Sequence, residues 1–175
     1  MTKTPVHPIA EATLRETTMT DLLVKLYDLP DPGAQLTALA EKDIVVRRAM
    51  ASEKNRVVGW TQNRFGDGWA AECEVAFARQ PIACMIAVSG GRLAGFACHD
   101  STCRNFFGPI GIDSDLRQKG VGRAVLLATL HAMADAGYAY AIIGGAGPTA
   151  FFEKCAGAVT IPGSTPGVYR PTIHK

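Results

Sequence analysis

The sequence has no long apolar run, no C-x-x-C pair, no nucleotide-triphosphate loop and almost no net charge. With 18 Lys and Arg against 16 Asp and Glu, the formal charge of +2 and the lack of a basic stripe argue against a nucleic-acid partner. No stretch approaches the roughly 18 apolar residues of a membrane helix. The opening MTKTPVHPIAEATL lacks the apolar core of a signal peptide, so a cytoplasmic protein without a membrane partner is expected. Cysteines stand at 73, 84, 98, 103 and 155, an odd number that suggests neither a full disulfide framework nor a zinc ribbon. Reduced, mostly buried thiols and no metal site are expected. A triphosphate loop would need Gly, four residues, then Gly-Lys-Ser or Gly-Lys-Thr, and that run is missing.

What is present suits one domain, since 175 residues can bury about 70% of their unfolded surface. Residues 1–12, with Pro5 and Pro8, read as a flexible arm, and residues 13–175 as a single domain. Residues 21–29 read as a strand stopped by Pro30-Asp31-Pro32-Gly33. A short helix over 34–42 and a strand over 43–48 follow, then helices over 52–64 and 69–79. Two apolar runs, 82–89 and 92–99, flank Gly90-Gly91 as a hairpin. A further strand spans 106–112. Proline cannot donate to a ladder, so Pro109 within this strand belongs at an edge or a bulge. Residues 120–136 form a helix that is apolar nearly all round and therefore buried. A strand over 140–144, a short helix over 149–155 and a terminal hairpin of 158–161 with 168–170 complete the order.

The most informative stretch is 106–123, FFGPIGIDSDLRQKGVGR. An apolar strand feeds a basic turn with two glycines that opens into the buried helix, and a helix start with unpaired N–H groups favours phosphate. The spacing Arg117-x-x-Gly120-x-Gly122 resembles the pyrophosphate-binding turn of the GCN5-related N-acetyltransferase family. Phe151-Phe152-Glu153-Lys154 is similar to that family's Phe-Tyr-Glu-Lys signature, and the resemblance covers roughly residues 84–160. It implies an α+β fold with a mixed, mostly antiparallel, V-shaped sheet flanked by helices. Helices within 34–80 would then serve the acceptor and residues 82–160 would hold acetyl-coenzyme A. The resemblance assigns the diphosphate to Arg117, Gln118, Lys119, Gly120, Val121, Gly122 and Arg123. It assigns the pantetheine arm to Ile110, Gly111 and Ile112 on the lip of a strand splayed by the Pro109 bulge, with the N–H of Ile110 or Ile112 as oxyanion donor.

A competing fingerprint, Gly145-x-Gly147-x-x-Ala150, fits the dinucleotide pattern of a nicotinamide-binding oxidoreductase. That pattern needs an acidic residue about 20 positions later, and no Asp or Glu follows Glu153. Acyl transfer asks for a base for the amine, an N–H for the oxyanion and a proton for the departing sulfur. Phe152 stands where many family members carry an acid tyrosine, which leaves unassisted departure, Cys155 or Tyr169, or a coenzyme A-binding module without turnover. Glu72 is the base candidate, with Glu74, His99 and Asp100 as others; each faces the acceptor or is an ordinary surface or turn residue. Trp60, Phe65, Trp69 and Phe77 line an acceptor pocket or belong to the core, and His131 reads as a surface or packed residue. The acceptor is read as a small-molecule or peptide amine, and a homodimer is compatible with the terminal strands.

Overall fold

A computed structural model describes residues 19–168. The expected arm 1–12, Tyr169 and the end of the expected terminal hairpin lie outside the described residues. The strands are β1 (Thr20–Lys25), β2 (Ile44–Arg48), β3 (Cys84–Ser89), β4 (Arg92–His99), β5 (Phe106–Ile112), β6 (Tyr140–Ala146) and β7 (Val159–Thr160). The α-helices are α1 (Gly33–Ala40), α2 (Lys54–Phe65), α3 (Asp67–Phe77), α4 (Val121–Asp135) and α5 (Thr149–Ala156). They build one seven-stranded sheet in the order β2-β3-β4-β5-β6-β1-β7. Only the β5/β6 pair is parallel.

Local chemistry explains most boundaries. Gly90 and Gly91 adopt φ of 54° and 72°, which only a left-handed two-residue turn demands, and the β3/β4 hairpin closes across them. The first strand is shorter than its apolar run suggests. After Lys25 the chain tightens into a 3₁₀ turn over Leu26–Asp28, because Leu26 turns inward, 3% exposed, and its N–H bonds to Ala139 O. Of the expected terminal hairpin only the first strand and Val168 fall within the described residues. Residues 159 and 160 pair with Leu23 and Leu22 of β1, and Val168 lies in a turn.

Two apolar cores cover the two faces of the sheet. On one face α4 is buried along its length, with Val121, Leu126, Leu127, Leu130 and Met133 fully enclosed against Leu22, Val24, Ala97 and Phe107. On the other, α2 and α3 press Val57, Cys73, Ala76 and Phe77 onto Cys84, Ile86, Phe96 and Cys98. Each large side chain so enclosed contributes about 1.5–3 kcal/mol, and the two layers clamp β5 between them. The sheet nevertheless opens there: β5 pairs with β4 as far as Ile112↔Gly95, but with β6 only at Phe106↔Ile142 and Phe107↔Ile143.

Candidate active site

The opening has a local cause in β5. Between the pairs Ala97↔Ile110 and His99↔Phe107, β4 advances two residues while β5 advances three, so one extra residue is accommodated at Gly108-Pro109. Gly108 takes φ of 125°, and Pro109 has no N–H to offer. This is the bulge expected from Pro109, and it bends β5 away from β6. Beyond the bulge the ladder phase follows from the bond Asp113 N–H to Ala94 O, 2.9 Å. Hydrogen-bonded and non-hydrogen-bonded pairs alternate in an antiparallel ladder, so Gly111 bonds to Phe96. Ile110 and Ile112 then direct their N–H groups away from β4, into the gap that β6 has left.

At the open end of the gap the chain turns into α4. Gln118 and Gly120 both adopt left-handed conformations, with φ of 60° and 85°, which curl the Arg117–Gly120 turn tightly into the start of α4. The first α4 ladder bond runs from Ala124 N–H to Gly120 O, which leaves the N–H groups of Val121, Gly122 and Arg123 without a helical partner. A Cβ at Gly122 would meet Ile112 at 3.6 Å and the Phe151 ring at 3.7 Å, so the β5 lip, the first turn of α4 and the start of α5 converge there. The turn is braced from α1. Gln35 donates its amide N–H to Gly120 O at 2.6 Å and accepts from the Arg123 guanidinium. Arg117 donates Nε–H to Ile112 O, 3.4 Å.

At the level of sequence, no protein-family model and no curated protein matches this chain. Solved structures do match in three dimensions. A GCN5-related glucosamine N-acetyltransferase region of a fungal multi-domain GH3 β-N-acetylglucosaminidase superposes at a TM-score of 0.67 and 14% identity, over 82% of this chain and 20% of that one. The GCN5-related N-acetyltransferase of Sphaerobacter thermophilus matches at 0.56 and 13% identity, over 82% of this chain and 49% of its own. That of Kribbella flavida matches at 0.52 and 11%, over 82% and 54%. The fold is that of the GCN5-related N-acetyltransferases. This chain spans between a fifth and about half of the length of these proteins, and the likeness at such identities is one of fold.

Within the acetyltransferase fold the expected residues separate into those the structure gathers and those it scatters. Ile110, Gly111 and Ile112 lie on the lip of the gap, and the run from Arg117 to Arg123 forms the turn and the first residues of α4. Arg117, Gln118 and Lys119 are exposed, whereas Arg123 is half-buried and turned onto Gln35. Phe152 is 5% exposed, its ring edge-on to Phe107 with centroids 6.2 Å apart. Phe107 is the last β5 residue paired with β6, so Phe152 sits at the apex of the gap. Phe151 is the one that faces Gly122. Cys155 lies one turn further along α5, 7% exposed, and burial raises its thiol pKa against the opposing pull of Arg123 and Lys154.

The base candidates do not join this group. Glu72 accepts a hydrogen bond from Thr102 in the β4/β5 connection, at the other end of β5 from Ile112. Six residues of strand at about 3.3 Å each put the two ends roughly 20 Å apart. Glu74 is exposed and paired with Lys54 at 3.7 Å. His99 is 5% exposed and bonded through Nδ1 to Asp100 at 2.8 Å, also at that closed end. His131 is half-buried on the surface of α4 with Nε2 near Pro30 O, 3.1 Å.

Across the lip from α4, an aromatic wall stands over Gly111. A Cβ there would lie 2.6 Å from Phe65 and 2.9 Å from Phe96. Phe65 stacks on Trp69 at 5.0 Å, and Trp60 packs against Phe65 and Phe96. Phe77 is buried in the core instead. Arg64 lies over Trp60, 4.6 Å from the ring, and pairs with Asp113 at 3.0 Å. The backbone N–H of Asp115 holds the Asp113 carboxyl below its ordinary pKa, and Arg64 adds to this. Neither the bracing of Gly120 by Gln35, 85 residues apart, nor the pairing of Asp113 with Arg64, 49 residues apart, stands out in the sequence, since no local pattern marks such contacts.

Proposed function

We propose that this protein is an acetyl-coenzyme A-dependent N-acetyltransferase that acts by direct transfer to an amine in a ternary complex. The observation that carries the reading is the coincidence, at one place, of the β5/β6 gap with the helix-opening turn. An extended chain carrying amides fits the first, where Ile110 and Ile112 point their N–H groups, and a diphosphate fits the second. The residues present suit the cosubstrate: Gly120 and Gly122 leave the backbone accessible, and Arg117 and Lys119 add charge from the exposed rim.

Coenzyme A supplies the acetyl group as an activated thioester. The chain's own part is to hold and polarise it. The Ile112 N–H, fixed by the ladder phase, donates to negative charge developing on the carbonyl oxygen; loss of one such donor typically lowers kcat by about 10²–10³-fold. Cys155, whose burial keeps its proton in place at neutral pH, gives a proton to the departing sulfur. The amine enters from the side of the wall formed by Trp60, Phe65 and Trp69, so a small-molecule or peptide amine with apolar bulk is the favoured acceptor.

Calorimetric titration with acetyl-coenzyme A, followed by a thiol-release assay over a panel of amines, tests this. Binding that is abolished in Gly120→Asp, together with amine-dependent thiol release, is the expected result. Wild-type affinity in that variant would refute the placement of the diphosphate. Binding without thiol release from any amine would favour a coenzyme A-binding module, the reading that Phe152, with no proton to give at the apex of the gap, supports.

A further inference from the structure

Three cysteines distant in sequence meet in the core beneath α3. Cys73, Cys84 and Cys98 are each 0% exposed, and their sulfurs all lie within 4.8 Å of one another. Cys84 and Cys98 are direct partners across β3 and β4. The neighbouring bond from His99 N–H to Ala83 O, 2.9 Å, makes theirs the closer, non-hydrogen-bonded kind of pair, with both side chains on the α2/α3 face. Cys73 descends onto them from α3. A centre bonded to sulfur at about 2.3 Å needs its sulfurs about 3.5–3.8 Å apart, so closure asks for shifts of about 1 Å.

The surroundings decide what such a site would take. The enclosing side chains, among them Val57, Ala76, Ile86 and Phe96, are apolar, and the buried Thr61 beside Cys73 donates its hydroxyl to Val57 O at 2.9 Å. Net charge in such a place is strongly disfavoured. Three thiolates around a monovalent ion leave a charge of −2 and around a divalent ion −1. Around a trivalent ion the complex is neutral. Three ligands without a fourth also match a trigonal pyramid rather than the four-coordinate sites of zinc.

We propose that Cys73, Cys84 and Cys98 form a three-sulfur site for one trivalent thiophilic centre of the arsenic(III) class. With arsenous acid the reaction is a condensation, As(OH)₃ + 3 Cys–SH → As(S–Cys)₃ + 3 H₂O. Three As–O and three S–H bonds break, three As–S and three O–H bonds form, and nothing is oxidised or reduced. The three thiol protons leave in the three waters. Entry requires α3 to lift locally from the sheet, so binding is slow relative to that of an exposed thiol pair. The site is separate from the acetyl-transfer gap, and its fate does not depend on that reading.

The test is incubation of the folded protein with arsenite, without dithiol reductants, followed by native mass spectrometry and arsenic X-ray absorption. One arsenic less three hydrogens per chain, with three As–S bonds and no As–O bond, is expected. The adduct should persist when Cys103 and Cys155 are replaced by Ser and Ala, and vanish in Cys84→Ala. No adduct, two-sulfur coordination, or an adduct that survives Cys84→Ala would overturn the proposal, as would uptake of zinc or cadmium with arsenite refused. Should Cys84→Ala fail to fold, the sulfur count in the wild-type protein still decides.

Discussion

Gly120 is asked to do two things by one backbone. Its φ of 85° lies in the left-handed region, which costs any other residue about 1–2 kcal/mol, and in the proposed function its bare Cα is where phosphate approaches. The two demands separate by substitution. Gly120→Ala should lower the melting temperature by about 2–8 °C at roughly 2–4 °C per kcal/mol. Its Cβ would meet only the Gln35 amide, at 2.9 Å, a side-chain end that can swing aside, so acetyl-coenzyme A still binds, more weakly. Gly120→Asp should melt at a similar temperature and bind none. Equal affinities by calorimetry for the two variants would mean that strain, not charge, governs the turn. At Cys155 the raised thiol pKa gives the pH dependence its sign: the protonated form is the proposed donor, so activity should fall as pH rises through that value. Cys155→Ala should lower kcat by about 10²-fold, leave KM for acetyl-coenzyme A unchanged and lose the alkaline limb. A pH–rate profile identical to wild type would leave unassisted departure of the thiolate.

Among the elements, those bounded by local signals were legible and those placed by distant partners were not. Gly90-Gly91 marked the β3/β4 hairpin, Pro109 between glycines marked the bulge, and the all-apolar run marked α4, because in each case the physics lies within a few residues. The meeting of Glu72 with Thr102, the bracing of Gly120 by Gln35 and the convergence of Cys73, Cys84 and Cys98 join separate elements, and no spacing encodes them. The contact between α2 and the β5 lip can be tested through Gly111. A methyl group placed there drives into Phe65 and Phe96, an overpacking that typically costs about 1–3 kcal/mol. Gly111→Ala should therefore lower the melting temperature and raise KM for the amine more than KM for acetyl-coenzyme A, because Phe65 belongs to the proposed acceptor wall. At the opposite edge, Arg47 of β2 grips Glu53 before α2 through two bonds of 2.7 and 2.9 Å. That pairing holds the Glu53 carboxyl down at about 2 from 4.5. A depressed folded-state value stabilises above the unfolded value and is lost as pH falls from about 4.5 toward 2. With both side chains partly in water the effect is about 1 kcal/mol. Urea midpoints measured from pH 6 to pH 3 should drop less steeply in Glu53→Gln than in the wild type; parallel curves would show that the pair contributes nothing.

For the whole molecule the decisive strand is the first. The apolar pattern of residues 21–25 announces a strand but not its neighbours, and the structure seats it between β6 and β7, the last two strands to be made. Leu22 and Val24 are fully buried there. Asp21 ties three segments together: its carboxylate accepts from Gly145 N–H at 2.9 Å, its carbonyl from Ile161 N–H, and its own N–H bonds to Ser164. The arm of the sheet carrying β6 thus depends on the opposite end of the chain, and one side of the β5/β6 gap depends on that arm. Deleting residues 1–25 removes two buried aliphatic side chains worth about 1.5–3 kcal/mol each. It also strips β6 of its antiparallel partner and β7 of its own, a loss comparable to the 5–15 kcal/mol that stabilises a typical domain. The shortened chain should show no cooperative thermal transition by circular dichroism and no acetyl-coenzyme A binding. A cooperative transition near that of the full chain would show instead that β2 to β6 fold on their own, with β1 a dispensable addition.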